Sequence, residues 1–327
     1  MKRWLVIALC ILCLLSLCAC RPSPTAITVG GNRVDASEYA FYLHYNCDEK
    51  GAAGGAYTDE ETAAAREKAI DQIITNEVVR LKCKELGLSF SDEQKESLKA
   101  EKAALLDSLG GKSAYVEYLR QAYLTDRAYD KFQEGALYYQ MLYDHVSEES
   151  EDTVYTDEVL RQYFADSYIT LKYIRFSLTD DSGQPLSDSE RDTLHTQAED
   201  VLAQAQAEGA DFDALVAAYN DDPNMAASPA GMIISRLEAA GVDYMEPAFD
   251  LEENQVGGVY ECADGYYILQ RLPVDAGYFE SNRDYIFQSA LDWRFSECLT
   301  EWKSEADVSV SGVVDDITLN NLGDYVK

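Results

Sequence analysis

Apolar residues fill both faces of one predicted strand in the middle of the chain. Residues 168–178 read Y-I-T-L-K-Y-I-R-F-S-L, and side chains in a β-strand point alternately to opposite faces. Apolar residues at both odd and even positions therefore predict a strand that is buried on both sides. One face carries Ile169, Leu171 and Tyr173, and the other carries Ile174, Phe176 and Leu178.

Two helices and a hairpin are predicted after this strand. Ser187 and Glu190 have the spacing of a capping box at a helix N-terminus, and apolar residues then recur at helical spacing until a glycine ends the run. A second, shorter helix is predicted over residues 212–219. Asp264-Gly265 is a hairpin-turn signal between V-Y-E-C and Y-Y-I-L-Q, so the last two strands should pair. The predicted order is β-α-α-loop-turn-β-β.

Helical patterns flank this region on both sides. Capping residues predict helices that begin near Thr58, Ser91 and Ser113, and the last of these should run to about Val146. The acidic stretch S-E-E-S-E-D-T, residues 147–153, is predicted to be a linker.

The C-terminal part adds a helix and a short strand. Residues 278–302 form a helical pattern that is too apolar to stand alone. The stretch V-S-V-S, residues 308–311, is expected to pair with the early strand I-T-V, residues 27–29.

The N-terminus has the pattern of a secretory signal. Lys2 and Arg3 precede an apolar run from Trp4 to Leu17, which is too short to span a membrane in the mature protein. Its end, L-C-A-C, resembles the bacterial lipobox, in which a signal peptidase cuts before a cysteine that is then diacylated. The resemblance implies lipidation of Cys20 and attachment to the extracytoplasmic face of a cell membrane. The alternative is an ordinary cleaved signal.

Composition restricts the partners and the chemistry. The net charge of −32 leaves no basic surface for nucleic acid. The negative charge should also repel anionic lipids, so attachment to a membrane is expected to depend on a covalently bound lipid. After the predicted signal there is no C-x-x-C motif, histidine cluster or glycine-rich phosphate loop, so no cofactor and no metal site is expected. The four remaining cysteines allow three pairings, and disulfides and buried free thiols both stay open; they are Cys47, Cys83, Cys262 and Cys298.

Three phrases in the middle of the chain resemble one enzyme family. E-G-A-D-F-D-A-L-V-A-A-Y-N-D-D-P, E-P-A-F-D-L and D-G-Y-Y-I-L occur in this order and spacing. They resemble the parvulin family of peptidyl-prolyl cis-trans isomerases, over about a third of the chain. The resemblance implies an FKBP-like α+β domain that accelerates rotation about X-Pro bonds.

The resemblance also implies where a site should lie. Parvulins are understood to use two histidines on adjacent central strands, a nearby Asp or Cys, and an apolar floor. Asp222 matches the acidic position and is the candidate catalytic residue. Tyr173 and Tyr267 stand where the histidines are expected, and Tyr244 and Phe249 match aromatic floor positions. These four are the candidate substrate-binding residues.

The chain departs from the family pattern at several positions. Its three histidines are His44, His145 and His195, so the histidine pair is absent. Ala240 or Gly241 stands where the floor methionine is expected, and residues 230–234 replace the family's G-G-D-L-G turn.

The candidate residues also have purely structural interpretations. Phenols both donate and accept hydrogen bonds, so the tyrosines would keep a hydrogen-bonded layer in place of the histidines; alternatively they pack a core. Asp-Asp-Pro is ordinary turn chemistry as well. The aromatic residues at 244 and 249 fit a core as readily as a pocket.

The opening strand, turn and helix of the chain resemble those of the PrsA- and SurA-like foldases. In those proteins a C-terminal helix returns to the N-terminal helices and the parvulin unit is an insertion. The expected architecture is therefore α+β, a helical chaperone-like domain with an inserted parvulin-type domain. Its expected parts are a signal peptide (1–19), a tether (20–25), an N-terminal helical domain (26–153), a connecting helix (154–166), a parvulin-like domain (167–274) and a C-terminal helix and tail packed on the N-terminal domain (275–327).

These resemblances imply a membrane-anchored, extracytoplasmic protein-folding factor. Its expected partners are unfolded or partly folded exported proteins and their X-Pro segments, and its expected activity is parvulin-type isomerisation. The alternative is a non-catalytic chaperone or holdase, favoured by the missing histidines. A third interpretation is a structural lipoprotein that docks one fixed partner.

Overall fold

The computed structural model describes residues 23–47, 55–151, 155–180 and 182–326. The predicted signal peptide and Cys20 lie outside these ranges. The chain divides into two compact units. The helical unit comprises the described residues up to 148 and from 295 onward, and the sheet unit comprises those between 149 and 294.

A small antiparallel sheet joins the two ends of the helical unit. Strand β1 (Thr25–Val29) lies between β2 (Asn32–Asp35) and β7 (Val308–Val310). Ile27 pairs with Val310, which confirms the pairing predicted between the early strand and the C-terminal stretch. The helices are α1 (Ala36–Tyr45), α2 (Asp59–Glu85), α3 (Asp92–Ser108), α4 (Lys112–Gln121), α5 (Asp126–Glu151), α12 (Arg283–Glu305) and α13 (Val313–Asp316), with a 3-10 turn at Leu322–Asp324. Of these, α5 belongs to this unit up to residue 148 and α12 from residue 295.

Helix starts in this unit follow the capping signals of the sequence. Thr58 and Glu61 form a reciprocal capping box at the start of α2, as Ser91 and Gln94 do at α3. These side chains satisfy backbone N–H groups that have no partner inside the helix. The helix starts predicted near Thr58 and Ser91 are therefore confirmed.

The single helix predicted from residue 113 to 146 is wrong, because the chain turns between α4 and α5. Tyr123 adopts a left-handed conformation with φ 53°. The Leu124 N–H donates to the Leu119 carbonyl at 2.8 Å, the bond that closes a Schellman motif. Glycine or asparagine usually marks such a turn, and neither is present here. The second helix then extends to Glu151, into the predicted linker.

The sheet unit is built on a four-stranded antiparallel sheet in the order β4-β3-β6-β5. Its central pair consists of β3 (Tyr168–Ser177) and β6 (Gly265–Leu272), and the edges are β4 (Met232–Ser235) and β5 (Val256–Cys262). The two faces predicted for β3 pack in separate apolar clusters, which confirms its burial on both sides. The helices are α6 (Asp157–Ser167), α7 (Asp188–Ala205), α8 (Phe212–Tyr219), α9 (Pro223–Ala227), α10 (Arg236–Ala239) and α11 (Tyr278–Ser281), with a 3-10 turn at Glu246–Asp250.

Strand β4 and helix α9 extend the β-α-α-β-β order predicted from the sequence. Leu171 of β3 pairs with Met232, and Tyr168 pairs with Ser235, so β4 occupies part of the stretch in which a family turn was expected. The β4 sequence, M-I-I-S, does not alternate between apolar and polar residues, so no alternating pattern marks this strand. The predicted α+β class is confirmed.

Candidate functional site

The two tyrosines that stand where the family has histidines lie on the two central strands of the sheet. Tyr173 pairs with Leu269 across the sheet and Tyr267 pairs with Arg175, so the two phenols lie diagonally on the same face. Their ring centroids are 5.7 Å apart. Relative exposure is 1% for Tyr173 and 2% for Tyr267. Both rings therefore belong to the interior of the sheet unit.

Tyr244 completes a layer of three aromatic rings. Its ring stacks on that of Tyr267 with centroids 4.4 Å apart and planes inclined by 6°. It meets the ring of Tyr173 edge-on at 5.3 Å. Tyr244 is half-buried, so one ring of this tyrosine layer (Tyr173, Tyr244 and Tyr267) borders solvent while the other two lie beneath it.

Carboxylates hold the two buried hydroxyl groups. The Tyr173 hydroxyl donates to Asp222 Oδ2 at 2.8 Å, and the Tyr267 hydroxyl donates to Asp264 Oδ2 at 2.9 Å. The Arg175 guanidinium lies between these acids, with Nη1 3.3 Å from Asp264 Oδ2 and 3.9 Å from Asp222 Oδ2. The tyrosine layer thus ends in a polar edge of two acids and one base.

Asp222 is fixed by a second role as a helix cap. Its Oδ1 accepts the Asn224 N–H at 2.8 Å at the start of α9, and Pro223 occupies the first helical position. The carboxylate is buried, with 8% of the residue exposed. Asp222 therefore caps the start of α9 and also accepts a hydrogen bond from the tyrosine layer.

The environment keeps the phenols protonated. Burial raises the pKa of Tyr173 well above its usual range, and the hydrogen bond to Asp222 raises it further. Burial and then Asp264 act in the same direction on the pKa of Tyr267. Burial likewise raises the pKa of Tyr244. At neutral pH these groups are neutral phenols, so the layer offers no phenolate that would accept a proton.

The floor beside the layer is apolar and covered. Phe249 is 6% exposed, and the Arg236 guanidinium lies 4.7 Å from its ring centroid. Met225 is buried in the same apolar cluster, and its Sδ accepts the Tyr173 N–H at 3.3 Å. Met245 packs against the edge of that cluster. Methionine therefore contributes to the floor from positions other than Ala240 or Gly241, where the family pattern places it.

The structure brings five of the six predicted site residues together. Tyr173, Tyr267 and Phe249 share one apolar cluster, Tyr244 packs against it, and Asp222 bonds to Tyr173. Cys20, the sixth, lies outside the described residues.

Sequence reasoning missed four residues of this arrangement. They are Arg175, Met225, Met245 and Asp264. The sequence marks Asp264 only as part of the predicted hairpin turn. Arg175 stands two positions after Tyr173 on the same strand, but its acidic partners are distant in the sequence.

Three further features of the described residues concern metal ligands, thiols and apolar helices. Within them, no group of three or more His, Cys, Asp or Glu side chains is arranged to hold a metal ion. The four described cysteines carry free thiols. In the same ranges, no helix has the length and apolar character needed to cross a bilayer.

One family model matches the N-terminal part of the chain. Residues 2–143 match the SurA-like N-terminal domain. No curated protein gives a match.

Solved structures of bacterial foldases are similar at low sequence identity. The foldase protein PrsA from Streptococcus pneumoniae is 15% identical, with a TM-score of 0.32, over 83% of this chain and 98% of that chain. The peptidylprolyl isomerase PrsA from Bacillus anthracis is 14% identical, with a TM-score of 0.34, over 72% and 95% of the two chains. A chain from the structural work on the SurA-like chaperones PEB4 and Cj1289 of Campylobacter jejuni is 13% identical, with a TM-score of 0.25, over 86% and 96%.

These TM-scores are too low for the superpositions to establish a common fold or a common function. The family match is specific to one part of the chain. The match to the SurA-like N-terminal domain covers residues 2–143, which is less than half of the chain.

Proposed function

We propose that this protein is an extracytoplasmic folding factor that holds unfolded or partly folded exported proteins without catalysing proline isomerisation. The SurA-like N-terminal domain supports the chaperone class. The predicted signal peptide and the lipobox-like end at Cys20 support export and attachment to the membrane through a lipid. In this proposal the parvulin-like sheet unit binds client segments and lacks the isomerase chemistry.

The closed tyrosine layer carries the non-catalytic part of the proposal. An isomerase must stabilise the twisted amide of an X-Pro bond more strongly than the planar one, which requires an accessible apolar pocket and accessible polar groups. Tyr173 and Tyr267 are 1% and 2% exposed, and their hydroxyl protons are already donated to carboxylates. Neither phenol is free to bond to a substrate amide.

A weak isomerase is the second candidate, and the position of Tyr244 favours it. Tyr244 is the half-buried member of the tyrosine layer, and it lies over Tyr267. Rotation of this one side chain would uncover a ring flanked by Asp222, Asp264 and Arg175. A proline ring would then occupy the space that Tyr244 vacates.

Exchange NMR on short X-Pro peptides separates the two candidates. The mature protein is compared with Asp222→Ala and with Asp221→Ala, a matched control in which a neighbouring carboxylate that accepts the Ser177 N–H is removed. We expect no acceleration of isomerisation by any of the three. Acceleration by the wild type that is lost in Asp222→Ala and kept in Asp221→Ala would establish the isomerase instead.

Suppression of aggregation tests the chaperone part on the same samples. We expect the wild type to reduce light scattering by a refolding, aggregation-prone protein at stoichiometric concentration. Asp222→Ala should retain this effect if holding does not depend on the tyrosine layer. If the wild type neither suppresses aggregation nor binds peptides, the proposed function is wrong.

The lipid anchor is tested by changing the predicted acceptor. In a bacterial host, the wild type should sediment with membranes and Cys20→Ser should not. Mass spectrometry of the N-terminal peptide should find a diacylated cysteine at position 20. A cleaved but unmodified N-terminus in the wild type would support the ordinary signal peptide.

A further inference from the structure

A groove lies between α2 and α5 of the helical unit. It has a volume of about 480 Å³. One wall is formed by polar residues of α2, among them Gln72, Thr75 and Asn76, and the other by Phe132, Gly135 and Tyr139 of α5. Lining residues recur every three or four positions on both helices, so each helix presents one face to the groove.

The glycine in this groove has no structural reason to be a glycine. Gly135 lies inside a long helix, where glycine is destabilising by about 1 kcal/mol relative to alanine. A Cβ atom at this position would meet a single neighbour, Arg80 Nη2, at 3.9 Å, which is ordinary contact distance. The space beside Gly135 therefore has room for at least a methyl group, and packing does not require a glycine there.

Two aromatic rings border this space. Phe132 and Tyr139 lie one helical turn to either side of Gly135. Phe132 packs edge-on against Phe41 at 5.2 Å, and Tyr139 packs edge-on against Phe295 at 5.1 Å. Tyr139 is nevertheless 43% exposed. The result is a slot with a glycine floor and two supported aromatic sides.

The opposite wall presents amide atoms that the protein leaves unused. Gln72 Oε1 accepts a hydrogen bond from Asn46 at 2.7 Å, and Asn76 Nδ2 donates to the Tyr42 hydroxyl at 3.0 Å. Within the described ranges, Gln72 Nε2 and Asn76 Oδ1 have no hydrogen-bond partner. One donor and one acceptor thus belong to residues four positions apart on one helix face, whose Cβ atoms are separated by about 5–6 Å.

We propose that this groove binds one extended segment of an unfolded polypeptide, with a large apolar side chain inserted over Gly135. In an extended chain, the C=O and N–H of one residue point to the same side. These groups match the Gln72 donor and the Asn76 acceptor. The proposal rests on the proposed function and identifies where a client binds.

Charge selects basic segments over acidic ones. The groove is also lined by Asp71, whose carboxylate is exposed beyond its contact with Lys303. The whole chain carries a net charge of −32, which attracts cationic segments and repels anionic ones at moderate ionic strength. The expected ligand is therefore an unfolded segment with lysine or arginine near a phenylalanine, leucine or similar residue.

Fluorescence anisotropy with labelled peptides tests this site. The probe is a short unstructured peptide with one central Phe flanked by Ser, Thr and Lys, and the comparison peptide has Glu in place of Lys. Gly135→Leu fills the slot, whereas Ala104→Leu adds the same bulk to an exposed position on α3. We expect Gly135→Leu to weaken binding of the basic peptide at least about tenfold and Ala104→Leu to leave it unchanged. Circular dichroism and thermal unfolding check that both variants are folded.

A second variant keeps the test decisive if Gly135→Leu does not fold. Ala136 also lines the groove and is exposed, so Ala136→Leu should fold and weaken binding of the basic peptide. Binding that is equal in wild type, Gly135→Leu and Ala136→Leu would overturn the groove as the site. If the wild type still suppresses aggregation in that case, the proposed function stands while this inference fails.

Two further outcomes would name a different occupant and overturn the proposal. Tighter binding of the acidic peptide than of the basic one would contradict the predicted ligand class. Dimerisation of the wild type that is abolished by Gly135→Leu, measured by analytical ultracentrifugation, would show that a second copy of the chain fills the groove. Absence of both peptide binding and aggregation suppression would remove the proposed function together with the site.

Discussion

The tyrosine layer of the sheet unit and the groove of the helical unit use similar residues in opposite ways. In the layer, Tyr244 covers Tyr267, and both buried hydroxyl groups are bonded to carboxylates. In the groove, Tyr139 is 43% exposed, and one amide atom of Gln72 and one of Asn76 are unused. Aromatic content alone therefore does not identify a binding site. Unfilled space beside unpaired polar atoms is the more informative combination.

This difference also changes what each region contributes to stability. A filled layer gains dispersion energy and removes apolar area from water. An open groove gains neither this dispersion energy nor this burial of apolar area, because its lining residues pack against neighbours on one side only. The same substitution should consequently have a large effect in the layer and a small one in the groove.

Truncation of one tyrosine in each region should give the largest contrast. Tyr173→Ala removes a buried ring and leaves Asp222 without its phenol, so we expect a loss of about 3–5 kcal/mol in the stability of the sheet unit. Tyr139→Ala removes a ring that is 43% exposed and packs edge-on against Phe295, so we expect a loss of about 1 kcal/mol. Hydrogen exchange of β3 amides and of α5 amides measures the two units separately. Equal losses would contradict the comparison.

The sequence predicts the filled region better than the open one. Alternation along β3 identifies both of its faces, and the resemblance to the parvulin family leads to Tyr173, Asp222 and Tyr267 before any of their contacts are known. The salt bridge between Arg175 and Asp264 is not predictable in this way, because its partners are 89 residues apart.

The missed elements have equally local reasons. The turn at Tyr123 lacks the glycine that usually marks it, and the β4 sequence does not alternate between apolar and polar residues. The groove is formed by α2 and α5, whose facing residues are far apart in the sequence. In the sequence alone, Gly135 therefore appears only as a residue that weakens a helix.

Two buried acidic groups of the helical unit should respond to pH in a defined direction. Glu38 and Glu77 are buried and share Lys131, whose Nζ lies 2.6 Å from Glu38 Oε1 and 2.7 Å from Glu77 Oε1. Burial raises the pKa of Glu38 above its usual value, although Lys131 opposes this effect. The folded state therefore binds the proton more strongly than the unfolded state. Folding stability from this group falls as pH rises through the folded-state pKa.

Glu38→Gln isolates this effect. The variant should gain stability relative to the wild type as pH rises from about 4 to about 7, because each tenfold difference in proton affinity is worth about 1.4 kcal/mol. Urea unfolding at both pH values measures the difference, with the exposed Glu93→Gln as the matched control. A relative loss of stability at the higher pH would mean that the attraction to Lys131 outweighs burial.

Two glycine substitutions should change the stability of the two units in opposite directions. Gly135→Ala places a methyl group at ordinary contact distance from Arg80 Nη2 in a helix interior, so the helical unit should gain about 1 kcal/mol. Gly265→Ala in the sheet unit places its Cβ 2.8 Å from the Phe176 carbonyl oxygen, which has no room to move within the paired strands, so the sheet unit should lose stability. Thermal unfolding and hydrogen exchange of α5 and β6 measure both changes. A gain from Gly135→Ala would show that the natural chain is less stable than it would be with one added methyl group. This is expected if the space beside Gly135 serves to bind a ligand. A loss would show instead that the glycine serves the fold, and the groove would then have no more claim to be a binding site than the tyrosine layer has.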